Sequence, residues 1–139
     1  MITYKGTLNV SAHEFYETLL LQICADINQK TKRELTIKDI QKGCRYRVKK
    51  KIGNKIQDSV IEVAKPELDH KVVTTNTIDG VVYKMVYEIE GIDDNHTNVN
   101  YYQDNGGKNE GFLARKLVER NMKSRLKEFE KYIIKNRSK

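Results

Sequence analysis

Three histidines, two cysteines and eight tyrosines supply most of the side chains with which this chain could do chemistry at neutral pH. His13, His70 and His96 have no metal-ligand spacing between them, and Cys24 and Cys44 have none either, so no metal and no cofactor is expected. In a chain without an export signal the two cysteines read as buried free thiols and not as a disulfide. No Ser-His-Asp set, Cys-His pair or phosphate-binding loop is present, and Gly53-Asn54-Lys55 is too short to cradle a phosphate. General acid or base work needs a positioned ionisable group. His70 is the one histidine on the face derived below as inner, and a lone histidine there marks a strand end more than a catalyst. No catalytic residue is assigned.

The elements that hold these side chains start from the C-terminus. Residues 111–139 carry ten basic and three acidic residues, and so the whole net charge of +7. Val118, Met122, Leu126, Phe129 and Ile133 share one helical face. Lys116, Arg120, Lys123, Lys127 and Lys131 share the opposite one. A helix of about 26 residues is roughly 39 Å long and can cross a domain of this size, apolar side down. At 139 residues, with 32% charged and 38% apolar residues, the chain reads as a single domain, residues 1–139, with one core. It opens on Met1-Ile2-Thr3-Tyr4-Lys5 and has no signal pattern and no membrane-spanning run, so a cytoplasmic location is expected.

Ile2, Tyr4, Gly6, Leu8 and Val10 alternate with polar residues as in a half-buried strand. Ser11-Ala12-His13-Glu14 then has capping-box spacing. Phe15, Leu19, Ile23 and Ile27 form a buried stripe from which Leu21 points away, so two short helices with a break near Leu21–Gln22 are expected. Residues 34–40 read as a weak strand. Gly53-Asn54 joins strands 44–52 and 55–64 in a hairpin that pairs Lys51 with Ile56, Lys49 with Asp58, Arg47 with Val60 and Arg45 with Glu62. Asp79-Gly80 makes a second hairpin whose inner face carries His70, Val72, Thr74, Asn76, Ile78, Val81, Tyr83, Met85, Tyr87 and Ile89. A last strand, 97–104, turns Val99 and Tyr101 inward, and a flexible loop over 105–109 precedes the final helix, with Gly106-Gly107 as a connector.

Strand, two helices, about six to seven antiparallel strands and a long helix form an α+β layout. It resembles the helix-grip fold of the START-like superfamily, which includes pollen-allergen and polyketide cyclase proteins. The resemblance spans the whole chain and rests on that order, on the opening Leu8-Asn9-Val10-Ser11-Ala12-His13-Glu14-Phe15 and on the amphipathic last helix. The family often has a proline after the cap, absent here. The chain also resembles small Gram-positive bacterial proteins grouped as a domain of unknown function. The resemblance implies a curved sheet gripping the long helix and a cavity between them. The inner faces would line it with Tyr46, Ser59, His70, Thr74, Asn76, Tyr83, Met85, Tyr87 and Tyr101, with Phe15 and Met122 nearby. An apolar wall with a few polar groups suits a small apolar or amphipathic ligand, so a non-catalytic binding domain is the leading expectation.

The basic stripe of the last helix offers the alternative, an interaction module for nucleic acid or a protein partner. A solvated face behind a buried one explains the same charges, and no aromatic interleaves the stripe for base stacking, so nucleic acid is disfavoured. A cyclase- or hydrolase-like enzyme ranks third. Leu113 and Leu117 lie on the basic side of the helix, where a straight helix would expose them. They are expected to pack on a second subunit, as a homodimer, or to close over the cavity mouth.

Overall fold

The structure is a computed structural model that describes residues 1–106 and 111–137. In chain order the elements are β1 (Ile2–Leu8), α1 (Ala12–Thr31), α2 (Ile37–Gln41), β2 (Cys44–Ile52), β3 (Lys55–Val63), β4 (Lys71–Ile78), β5 (Val81–Asp93), β6 (His96–Asn105) and α3 (Phe112–Arg137). The six strands form one open antiparallel sheet in the order β1-β6-β5-β4-β3-β2. Chain reversal at two-residue turns accounts for most of that order. Gly53 (φ 62°) and the pair Asp79 (φ 48°) and Gly80 (φ 85°) adopt the left-handed backbone that such turns require. The four pairs expected across the first hairpin are all present, as is the Asp79-Gly80 register from Ile78↔Val81 to Val72↔Tyr87.

Two expected elements differ. Helix α1 runs unbroken for 20 residues, without a break at Leu21–Gln22. Breaking it there would leave backbone groups on both sides without partners, whereas Leu21 stays only 49% exposed on the wall of a groove between α1 and α3. The helix stops instead at Lys32 (φ 57°), whose N–H donates to the Asn28 carbonyl at 2.9 Å. Residues 34–40 form no strand, and 37–41 make the second helix, so among the described residues the sheet has six strands, within the expected six to seven. Thr36-Ile37-Lys38-Asp39 is itself a capping sequence: the Asp39 carboxylate accepts the Thr36 N–H at 2.9 Å, and Ile40 is fully buried. The Asn28 side chain clasps this segment, its Oδ1 accepting from Leu35 N–H (2.8 Å) and its Nδ2 donating to the Leu35 carbonyl (3.0 Å).

The core lies between the inner sheet face and the two long helices. Met122, Leu126, Phe129 and Ile133 of α3 are buried and Val118 is half-buried, as their spacing predicts. Phe15 meets Phe129 edge-on at 5.7 Å, and Tyr87 packs on Tyr101 at 4.9 Å. Gly6 lets α3 come close to β1, since a Cβ there would stand 3.0 Å from Leu126 Cδ1. Thr97 is fully buried, and its hydroxyl donates to the Val10 carbonyl at 2.7 Å. Across the outer sheet face Arg45 pairs with Glu62 (3.7 Å), while Arg47 reaches diagonally to Asp58 (3.4 Å). The expected 105–109 loop and the Gly106-Gly107 connector fall largely outside the described residues; Gly106 is in the left-handed region (φ 71°).

Candidate functional site

A cleft of about 240 Å³ opens between the C-terminal half of α1 and strands β3–β5. Helix periodicity brings Leu19, Ile23 and Ile27 to one wall. Strand alternation brings Ile61 and Val63 of β3, Thr74 and Asn76 of β4, and Met85 and Tyr87 of β5 to the other. Asp26 and Lys30 of α1 and Arg125 of α3 complete its rim. Asp26 and Arg125 also line a wider groove of about 640 Å³ between α1 and α3, with Leu21, Ala25 and Tyr132. The cleft under α1 is the more enclosed and the more apolar of the two, and so the better-formed site.

Of the residues expected to line a cavity, Thr74, Asn76, Met85 and Tyr87 do so. Phe15, Tyr101 and Met122 are buried in the packed core beside it, which they fill and do not line. Tyr46 and Ser59 are half-buried near the sheet's edge, and the Arg33 guanidinium covers the Tyr46 ring at 4.6 Å. Tyr83 is half-buried opposite Asn76, outside the cleft lining. His70 does not face inward. It is exposed just before β4, beside Glu67 and Glu88 in a shallow surface dip, because its strand starts only at Lys71. The Ile89 N–H bonds to its carbonyl at 2.7 Å, so pairing continues there without turning the ring into the core. Asp26, Lys30, Thr75 and Arg125 also line the cleft and were not expected there. Arg125 stands three residues after Met122 and four before Phe129, so it borders the apolar stripe, and that position was the available signal.

Several polar groups on the cleft have no protein partner among the described residues. Asn76 Oδ1 is buried without a hydrogen bond, and no described group bonds to the Tyr87 hydroxyl or forms a salt bridge with Arg125. The guanidinium lies over the Phe129 ring at 5.6 Å. Burial raises the Tyr87 phenol above its ordinary pKa, with nearby Arg125 opposing and Asp26 adding to the shift. Tyr101 is raised in the same direction by burial and then by Tyr87. Both phenols stay protonated donors near neutrality. Cys24 and Cys44 are free, the first buried and the second half-buried, and burial raises both thiols, so neither is a ready nucleophile. Among the described residues no three His, Cys, Asp or Glu side chains are grouped to hold a metal ion. No described helix is long and apolar enough to cross a membrane.

Lys116, Arg120, Lys123, Lys127 and Lys131 are all exposed along α3, away from the cleft. At the start of that helix Phe112, Leu113 and Leu117 are 72%, 82% and 58% exposed. The described structure shows nothing covering them, and neither leucine lines the cleft.

An antiparallel sheet with two helices after its first strand and a long C-terminal helix laid on it is the helix-grip fold of START-like proteins. Solved structures similar to this chain include Ara h 8.0201, with 10% identity over 96% of this chain and 97% of that one and a TM-score of 0.58. A START superfamily protein from Mycobacterium smegmatis is 13% identical over 96% and 97%, at 0.56. The Zhui aromatase/cyclase from Streptomyces sp. R1128 is 13% identical over 95% and 92%, at 0.52. The chain spans 46% of the length of DynU16, from the dynemicin biosynthetic locus, which it also resembles (11% identity over 95% of this chain, TM-score 0.57). Such identities establish a shared fold. The model of the domain of unknown function DUF3284 matches residues 2–122, and the chain belongs to that family. No curated protein matches it in sequence.

Proposed function

We propose that this chain is a non-catalytic binding domain for one small, mostly apolar molecule held in the cleft between α1 and strands β3–β5. The observation that carries this reading is the lining itself: leucine, isoleucine, valine and methionine walls around a few unpaired polar groups. A cleft of about 240 Å³ suits a ligand smaller than most drugs, equal to about eight water volumes at ~30 Å³ each. The similarity to a START superfamily protein and to an aromatase/cyclase supports the scaffold. Among the described residues the cleft is lined by no histidine and by a single carboxylate, Asp26, which weighs against acid–base chemistry there. A thermal-shift screen with short fatty acids, alcohols and small aromatic acids tests the reading. A binder at one hundred times its Kd should add about 2.7 kcal/mol of stability. A panel that produces no shift, with Ile23→Glu in the cleft wall failing to abolish any weak binding, overturns it.

The exposed apolar turn of Phe112, Leu113 and Leu117 favours a second, compatible reading, in which a second copy of the chain covers it.

A further inference from the structure

We infer that the ligand is a small monoanionic amphiphile, a carboxylic acid with a hydroxyl or N–H at its far end, bound with its carboxylate at Arg125 and its donor at Asn76. This assignment rests on the binding reading above and names the chemistry of that same cleft.

The two ends of the cleft ask for different groups. Asn76 Oδ1 is an acceptor buried without a partner, and a buried orphan acceptor is stabilised by any donor that reaches it. At the other end the Tyr87 hydroxyl and the Arg125 guanidinium are both donors without a described partner, and Lys30 adds a second cation on the rim. One guanidinium and one phenol O–H match the two oxygens of a carboxylate, which Arg grips as a planar fork. Asp26 shares this rim, held by the Gln22 amide at 3.1 Å. Two cations against one carboxylate leave a single positive charge, which suits a monoanion and disfavours a phosphate dianion.

Sheet register sets the separation. Asn76 stands opposite Tyr83 on β5, and Tyr87 is four residues further along that strand. The two polar positions are therefore roughly 13 Å apart along the strands at about 3.3 Å per residue. Apart from Thr74 and Thr75 the lining between them is apolar, from Leu19, Ile23, Ile27, Ile61, Val63 and Met85, so the middle of the ligand is hydrocarbon or aromatic. Arg125 and Asp26 border both the cleft and the α1–α3 groove, which places the charged end at the mouth and makes that groove the route of entry.

Isothermal titration of the full chain with 8-hydroxyoctanoate, octanoate and 1-octanol tests each end separately. On wild type the hydroxy acid should bind about tenfold more tightly than octanoate, the worth of one buried hydrogen bond. Octanoate should bind about tenfold more tightly than the neutral alcohol. Asn76→Leu should remove the first difference and keep the second, and Arg125→Met should do the reverse. If Asn76→Leu does not fold, the wild-type comparison of hydroxy acid with octanoate decides that end. Equal affinity for all three compounds overturns the assignment and leaves the cleft an apolar binding site. So does failure of all three to bind while a ligand of other chemistry stabilises the chain. If no ligand of any class binds, the binding reading falls with it.

Discussion

At the scale of single residues, the ends of the chain are tied by Glu14. Its carboxylate accepts the Ser11 N–H at 3.0 Å as part of a capping box and accepts Arg137 Nε at 2.7 Å from the far end of α3. Arg137 first, with the Ser11 contacts helping against burial, lowers the Glu14 pKa to about 2. A carboxylate depressed on folding stabilises the native state above its unfolded value, near 4.5, and that gain is lost as pH falls through about 2. Thermal melts should therefore show wild type above Glu14→Gln at neutral pH, with the gap closing between pH 4.5 and 2. A gap that stays constant over that range contradicts the pairing. His13 has the opposite sign. Its Nδ1 lies 2.8 Å from Asp69 and its Nε2 3.1 Å from Glu17, and Asp69 leads in raising its pKa above 6.5. Its contribution is full below 6.5 and fades as pH rises through the raised value. Proton NMR should find the His13 midpoint above 6.5 and Asp69→Asn should return it toward 6.5.

Secondary structure elements explain why neighbouring leucines differ. Leu20 is completely buried on α1 while Leu21, one residue on, is 49% exposed toward the α1–α3 groove. A helix that runs straight through this point turns them 100° apart, whereas two helices with a break there would let both be buried. Leu20→Ala should cost about 2–5 kcal/mol in chemical denaturation, and Leu21→Ala no more than about 0.5 kcal/mol. Comparable losses would mean that α1 is interrupted in solution. The same reasoning applies to 34–40. Leu35 and Ile37 alternate as in a strand, but Ile37 and Ile40 are also spaced for one helical face, and the Thr36–Asp39 cap decides between them.

For the whole molecule, nine basic and three acidic residues put six of the seven net positive charges on one helix, α3, whose apolar side is covered by the sheet and by α1. The most exposed apolar side chains of that helix, Phe112, Leu113 and Leu117, sit together at its start. Burying Leu113 and Leu117 against a second copy would be worth roughly 3–6 kcal/mol at about 1.5–3 each, before ordering costs. X-ray scattering should then report a dimer that Leu113→Lys/Leu117→Lys converts to a monomer with unchanged ligand response. A wild-type monomer at all concentrations rejects this arrangement.

Period and turn chemistry, both local, were legible without coordinates. The two hairpin registers followed from Gly53-Asn54 and Asp79-Gly80, because a two-residue turn fixes every pair behind it. The α3 stripe followed from spacing alone. From these, Thr74, Asn76, Met85 and Tyr87 were assigned to the inner sheet face, and all four border the cleft under α1. Tertiary structure alone decided how far the core fills. Phe15, Tyr101 and Met122 share the inner faces, yet Phe15 packs on Phe129 and Tyr101 on Tyr87, and the cleft opens instead toward β3–β5. His70 has inner parity, but its strand begins one residue later and its ring stays in solvent. Arg125 is remote in sequence from every other cleft residue, and it reaches the rim because α3 packs beside α1. Alternation along a strand tells which side a residue faces; how deeply it is covered depends on where the helices lie across that side.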